Sequence, residues 1–366
     1  MKRLIVHVGH GKTGSSFLQS IFALNSERMA KLGIFYPQHY SISEARKGFV
    51  TSGNGSTLLE TDRFYTAHPT ILISSELLFR ELAKKQEYVA KLSKLYDVEI
   101  IIYLRDVIDH RVSQWGQHIK RGGGYIDLNT FLLTNKYDVL DWVLKWIEMS
   151  NEIGFTLTLK NYTKCKNKLA QDFFNGVLKV PSLAEDLIIP GKLINRSLSL
   201  SELEVQRVLN AAFGNSSSRY VSDFLCNNFP DVKAWMPTIN EHAYEKILSE
   251  NIASLDAINS RIDDTMHLEI GKKEKWLNSE TEQPASLDND LCRELGTSIR
   301  QAIMPLEQSS VDILKDVALR LYKNDRGAIE DALALMKIAL KHRPNGPLIK
   351  AKVEQWSALL DSSGNE

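Results

Sequence analysis

The chain has 366 residues, of which 43% are hydrophobic and 25% charged. That is ordinary usage for folded domains; it excludes a disordered, collagen-like or coiled-coil molecule and leaves room for two domains, or for one large domain with an appendage. Lys plus Arg and Asp plus Glu number 45 each, so no global field holds a nucleic acid or an anionic membrane, and any phosphate site must be local.

The three cysteines, Cys165, Cys226 and Cys292, are widely spaced with no C-x-x-C pair. They support neither a disulfide framework nor a cysteine zinc site and read as reduced core thiols. The N-terminal apolar run is too short for a signal sequence, and no apolar stretch approaches the roughly 18 residues needed to span a bilayer. The expected location is the cytoplasm, without a membrane span.

In chain order, Leu4 to Val8 is a short β-branched run that ends at glycine, as a buried strand of a parallel sheet should, and Ser15 to Asn25 has helical apolar spacing. A Gly/Ser/Thr-rich stretch from Ser52 to Thr57 reads as loop, and Thr70 to Ser75 as a second buried strand ending at Glu76. A helix from Leu82 to Leu95 leads into a third strand, Val98 to Leu104, with Arg105 at its carboxyl end. Asp106 to Arg121 reads as a helix stopped by three glycines, Tyr137 to Met149 as another, and Phe155 to Leu159 as a fourth strand. Ser199 is placed to cap a helix running to Ala212, and beyond it the chain reads as mostly helical.

This alternation predicts an α/β fold, a three-layer arrangement around a parallel β-sheet, over residues 1–270. The polar, aperiodic stretch 271–290 is the expected linker, and 291–366 an α-helical C-terminal appendage with helices over 310–322, 327–341 and 347–360. Ala332-Leu333 through Ala339-Leu340, with Pro344 beyond, resembles the second helix of a tetratricopeptide unit. One such unit cannot stack into a solenoid, so the region is either a capping appendage or a surface for a protein partner or self-association.

The segment Gly9-His10-Gly11-Lys12-Thr13-Gly14-Ser15-Ser16 joins the first strand to the first helix. That position directs backbone N–H groups, the positive end of a helix dipole and hydroxyls at one spot, the arrangement that cradles a phosphate or sulfate. A nucleotide triphosphatase loop, G-x-x-x-x-G-K-[ST], would need glycine at position 6, which is Val6, so that pattern fails.

The run His7-Val8-Gly9-His10-Gly11-Lys12-Thr13-Gly14-Ser15-Ser16-Phe17-Leu18-Gln19 resembles instead the opening of sulfotransferases that use 3′-phosphoadenosine 5′-phosphosulfate (PAPS), bacterial carbohydrate-type members in particular. Arg105, followed eight residues on by Ser113, is similar to that family's 3′-phosphate site, and Asn195-Arg196-Ser197-Leu198-Ser199 resembles the segment that returns to the donor before a helix ending in Leu-Asn, here Leu209-Asn210. The similarity covers residues 1 to about 215. It implies a P-loop-like phosphate-binding loop, PAPS as donor and 3′-phosphoadenosine 5′-phosphate (PAP) as product. The implied donor-binding residues are Gly11, Lys12, Thr13, Gly14, Ser15, Ser16, Arg105, Ser113, Asn195 and Ser197. The R-K-G-x-x-G-D-W-K stretch of the cytosolic small-molecule branch is missing, which argues for a carbohydrate or other hydroxyl-bearing acceptor over phenols and steroids.

Sulfuryl transfer rests on positioning and electrostatics; the transferred group carries less charge than a phosphoryl group and no carboxylate cluster dedicated to magnesium is evident, so the sequence does not demand a metal. Lys12 is the expected catalytic cation. For the general base the sequence offers Glu76, at the carboxyl edge of the sheet, and His10, in the loop. Trp115, Lys120 and Arg121 read either as an acceptor cleft or as a core tryptophan with two surface cations. The competing readings are a nucleotide-dependent kinase, disfavoured by Val6, and a catalytically idle nucleotide-binding scaffold whose C-terminal helices recruit partners.

Overall fold

The computed structural model describes residues 1–49, 51–191, 197–215, 218, 221–222, 226, 237–277, 308–325 and 328–363. Contacts divide the chain into two compact units, Met1–Leu287 and Asp288–Glu366.

The first unit is built on five parallel strands: β1 (Lys2–His7), β2 (Ile34–Phe35), β3 (Thr70–Ser74), β4 (Tyr96–Leu104) and β5 (Thr156–Asn161), in the spatial order β2-β3-β1-β4-β5. β1 is central, pairing with β3 from Arg3 opposite Thr70 to His7 opposite Ser74, and with β4 from Lys2 opposite Tyr96 to His7 opposite Ile101. Alternate residues face opposite apolar layers, as a strand's period of two requires. Leu4, Val6, Ile71, Ile73, Ile100 and Ile102 enter one core cluster, and Ile5, Leu72, Ile101 and Tyr103 the other. The sheet is therefore covered on both sides, which is why its strands read as continuous apolar runs.

The helices that matter for the site are α1 (Ser15–Leu24), α2 (Gln86–Leu95), α3 (Val107–Gly122), α4 (Val139–Ile153), α5 (Leu200–Phe213), α6 (Glu241–Asn259) and α7 (Lys273–Leu277). Ser199 caps α5 through a reciprocal pair: its hydroxyl accepts from the Glu202 N–H and its own N–H donates to Glu202 Oε2. The expected helix from Leu82 begins only at Gln86, a short separate turn occupying Leu78–Glu81. Within the stretch expected as loop, Gly55–Glu60 is helical. β2, two residues long, is too short to give any periodic signal.

The 271–290 segment contributes its first residues to this unit, since α7 carries Trp276, buried in the larger core cluster. Apolar anchoring overrides the polar composition on which the linker expectation rested. Cys165 and Cys226 are buried; Cys292 lies outside the described residues. No helix among the described residues is long and apolar enough to cross a membrane.

In the second unit, α8 (Gln308–Asn324), α9 (Ile329–His342) and α10 (Pro347–Ser363) share a core of Val311, Ala318, Leu333, Met336, Ile349 and Trp356, with the Tyr322 ring packed at a tilt against Trp356, 4.8 Å between ring centroids.

Trp146, fully buried on α4, ties this helix to the sheet layer: its indole N–H donates to the Phe79 carbonyl at 3.0 Å and its ring meets Phe155 edge-on. Trp146→Ala removes both the packing and the bond, and is expected to destabilise the first unit by about 3–5 kcal/mol, read from the denaturant midpoint followed by circular dichroism.

Candidate active site at the carboxyl edge

Because β1 sits between β3 and β4, the segments leaving these three strands emerge side by side at the carboxyl edge, where open α/β sheets hold ligands. The first is the loop from Val8 to Gly14. Its backbone takes the left-handed conformation at Gly11 (φ 87°), Lys12 (φ 59°) and Gly14 (φ 76°). For a lysine this is an uncommon, strained choice that the surroundings must impose.

Gly14 is needed twice over, for its positive φ and because a β-carbon there would lie 2.4 Å from Leu169 Cδ2. At Gly9 the conformation is unexceptional, but a β-carbon would lie 2.1 Å from Ser15 Oγ, so glycine leaves room for that hydroxyl.

α1 starts at Ser15 with no side-chain cap. Its first N–H groups therefore have no partner within the helix and none from a capping side chain. Around them, the Thr13 hydroxyl oxygen is buried with no hydrogen-bond partner, and the Ser15 hydroxyl is buried beside the Glu76 carboxylate. Buried polar atoms are nearly always satisfied, so an orphaned hydroxyl beside an uncapped helix start is what a polar ligand would satisfy.

Glu76 follows β3. A β-carbon placed at Gly9 would lie 3.3 Å from its Cγ and one at Gly11 3.8 Å from Oε2, which sets the carboxylate against the loop. Much of the residue faces solvent, yet its carboxyl group is crowded by the loop, and this desolvation raises its pKa against the opposing pull of Lys12 and the Ser15 hydroxyl.

His10, by contrast, packs its ring against His110 at 4.5 Å and Phe79 at 5.5 Å, and burial lowers its pKa to about 4. His7 is a structural histidine, its Nδ1 2.9 Å from Ser74 Oγ in the sheet interior.

Arg105 follows β4. Its guanidinium lies over the Tyr162 ring at 5.9 Å and forms a long ion pair, 3.9 Å, with Asp109, a carboxylate shared with Lys275 at 3.1 Å. The N-terminal amides of α3 are already occupied: Val107 and Ile108 donate to the Glu269 and Ile270 carbonyls. Asp106 locks that contact, accepting from the Glu269 N–H and from Asn161 Nδ2 through its Oδ1. An anion at this end would therefore be met by the Arg105 side chain and not by helix amides.

α3 runs from there along the loop. His110 contacts His10, and Gln117 accepts from the Lys12 ammonium at 2.5 Å. Ser113, half-buried, lies three residues after the first and four before the second, hence on the same helix face. His110 and Gln117 were not singled out from the sequence, although their i, i+3, i+7 spacing around Ser113 is the signal that would have found them.

Trp115 is a core residue, 3% exposed, its N–H bonded to the Ile126 carbonyl. Of the remaining expected donor residues, Ser16 is half-buried on α1, Ser197 is exposed ahead of α5, and Asn195 lies outside the described residues. No group of three or more metal-ligating side chains is present among the described residues. No family model matches the chain, and no curated protein matches it.

Lys12 is a strongly perturbed cation at this edge. Burial first, then the charge of Lys120, with Arg121 and Arg105 adding and Glu76 opposing, lowers its pKa from 10.5 to about 8. Since the folded value lies below the unfolded one, the unfolded chain binds the extra proton between pH 8 and 10.5, and stability rises with pH across that window. Lys12→Met is accordingly expected to stabilise the protein below pH 8, with the gain shrinking to nothing by about pH 10.5, as read from urea midpoints of both proteins over that range.

Proposed function

We propose that the protein is a PAPS-dependent sulfotransferase that transfers a sulfuryl group to a hydroxyl or amine of a carbohydrate-type acceptor. The observation that carries this reading is the combination, at one sheet edge, of an uncapped helix start, a buried unpartnered Thr13 hydroxyl, the buried Ser15 hydroxyl and the Lys12 ammonium, with Arg105 standing at the end of the neighbouring strand. These residues fit an anionic donor: the loop amides, Thr13, Ser15, Ser16 and Lys12 would hold the 5′-phosphosulfate, and Arg105 with Ser113 the 3′-phosphate.

When bound, PAPS supplies a sulfuryl group on a phosphate leaving oxygen. Net transfer forms one bond from acceptor oxygen or nitrogen to sulfur, breaks one sulfur–phosphate oxygen bond and releases one acceptor proton. The protein's part is electrostatic and acid–base. Lys12 and the α1 N-terminus stabilise negative charge in a partly dehydrated cleft, where such interactions act most strongly. Glu76 is the favoured proton acceptor, because its carboxylate lies against the loop and its raised pKa makes it a better base than an ordinary carboxylate. His10 is the weaker candidate: a ring with a pKa near 4, enclosed by His110 and Phe79, takes up a proton only at a cost. This reading goes with a cytoplasmic location, where a soluble nucleotide donor is at hand.

Calorimetric titration with PAP tests the donor site directly. Micromolar affinity, about 8 kcal/mol, is expected for the wild type, with about 10- to 100-fold weakening in Lys12→Ala and in Arg105→Ala and no comparable binding of ATP with magnesium. An absence of PAP binding, or a preference for ATP, would overturn the reading in favour of a kinase or a scaffold.

A further inference from the structure

The role proposed for Lys12 leaves a question of how its side chain is aimed. A lysine has four rotatable side-chain bonds and carries about 2 kcal/mol of rotamer entropy, so an unsupported ammonium beside an anion site would be poorly placed. Here the chain end is held. Lys12 Nζ donates to Gln117 Oε1 at 2.5 Å, across from the loop to the fourth turn of α3.

The groups facing that ammonium are Lys120 and Arg121 on the same helix, Arg105 at the end of β4 and Glu76 after β3. Three are cationic and one, Glu76, anionic. If the ammonium paired with Glu76, it would be neutralised, and Glu76 would lose its basicity.

We propose that Gln117 is a positioning residue for Lys12: its amide oxygen fixes the ammonium beside the anion cradle while adding no charge, so that Lys12 stays free to answer the ligand's charge and Glu76 stays free to take a proton. The inference rests on the sulfotransferase reading for the ligand's identity, but the Lys12–Gln117 contact itself does not depend on it. The structure offers reasons for α3 to be a rigid base for this contact. Its start is fixed by the 269–270 carbonyls, and its end by Asn210 of α5, which donates to the Ile119 and Gly124 carbonyls at 2.8 and 2.7 Å.

The experiment is a double-mutant cycle read by PAP calorimetry from pH 6.5 to 9.5 on the full chain. Gln117→Leu is expected to weaken PAP about 10-fold in the wild-type background and by less than twofold in a Lys12→Ala background. Gln117→Glu supplies a charged partner, so the pH midpoint of PAP binding that Lys12 sets is expected to move upward by about one unit or more. Equal losses from Gln117→Leu in both backgrounds, or an unmoved midpoint in Gln117→Glu, would overturn the proposal. A wild type that binds no PAP would instead sink the sulfotransferase reading. The contact is then tested by titrating Lys12 itself through its ¹³Cε resonance, whose midpoint must be higher in Gln117→Glu than in the wild type. An unchanged midpoint there would also overturn it.

Discussion

The central position of β1, hydrogen-bonded to β3 on one side and β4 on the other, is the constraint from which the candidate site follows. A strand paired on both sides and covered on both faces has little freedom, so the direction in which the chain leaves it is fixed. The loop after His7 must emerge between the segments leaving β3 and β4, bringing Lys12, Glu76 and Arg105 to one edge although they lie far apart in sequence. Sheet-interior bonds reinforce the placement: the Ser75 N–H donates to the His7 carbonyl and the Val8 N–H to the Ile101 carbonyl, so all three segments are registered against one another as they leave the sheet.

The edge is costly to fold. A lysine in the left-handed region, the Thr13 hydroxyl buried without a partner, a helix start without a cap and an ammonium whose pKa is lowered to about 8 by burial and neighbouring cations each oppose stability. Missing caps alone do not set this edge apart, since the helices beginning at Gln86, Val107 and Val139 also start without a side-chain cap. The coincidence of strain, burial and charge in one loop makes sense if an anion completes it. Strain of this kind persists when the surrounding packing over-determines it, which is what two apolar layers against a five-stranded sheet supply.

How much of this was legible in the sequence can be argued from particular residues. Four of the five strands were, because burial on both faces leaves runs such as Thr70-Ile71-Leu72-Ile73 that no amphipathic helix would carry, and the Ser199 cap was, because its hydroxyl and Glu202 stand three residues apart. That the glycine-rich segment from Gly9 to Ser16 joins the first strand to the first helix was also legible, because glycines part an apolar run from a helical pattern. What could not be read was contact between elements. Nothing in local periodicity ties Gln117 to Lys12, 105 residues earlier. Composition misled at Trp276, where one buried indole anchors an otherwise polar stretch. It was silent on whether Trp115 faces a cleft or the core, since an aromatic side chain suits either place.

α3 accounts for the geometry that the loop alone cannot supply. A loop of positive-φ residues has many neighbouring conformations of similar energy, and its amides become a site only if something fixes the side chains around them. The helix does so along one face: His110 meets His10, Gln117 holds Lys12, and Ser113 lies between them, over a span of seven residues or roughly 10 Å at 1.5 Å per residue. Both ends of that span are pinned by main-chain carbonyls, at the start by those of Glu269 and Ile270 accepting from α3 amides, and at the end by those of Ile119 and Gly124 accepting from Asn210. The late segment 267–270 is thus part of the site's support even though it supplies none of the proposed donor-binding residues. A perturbation there that releases Asp106 would move Arg105, its chain neighbour, before it disturbed the sheet. What the candidate site depends on therefore extends well past residue 215.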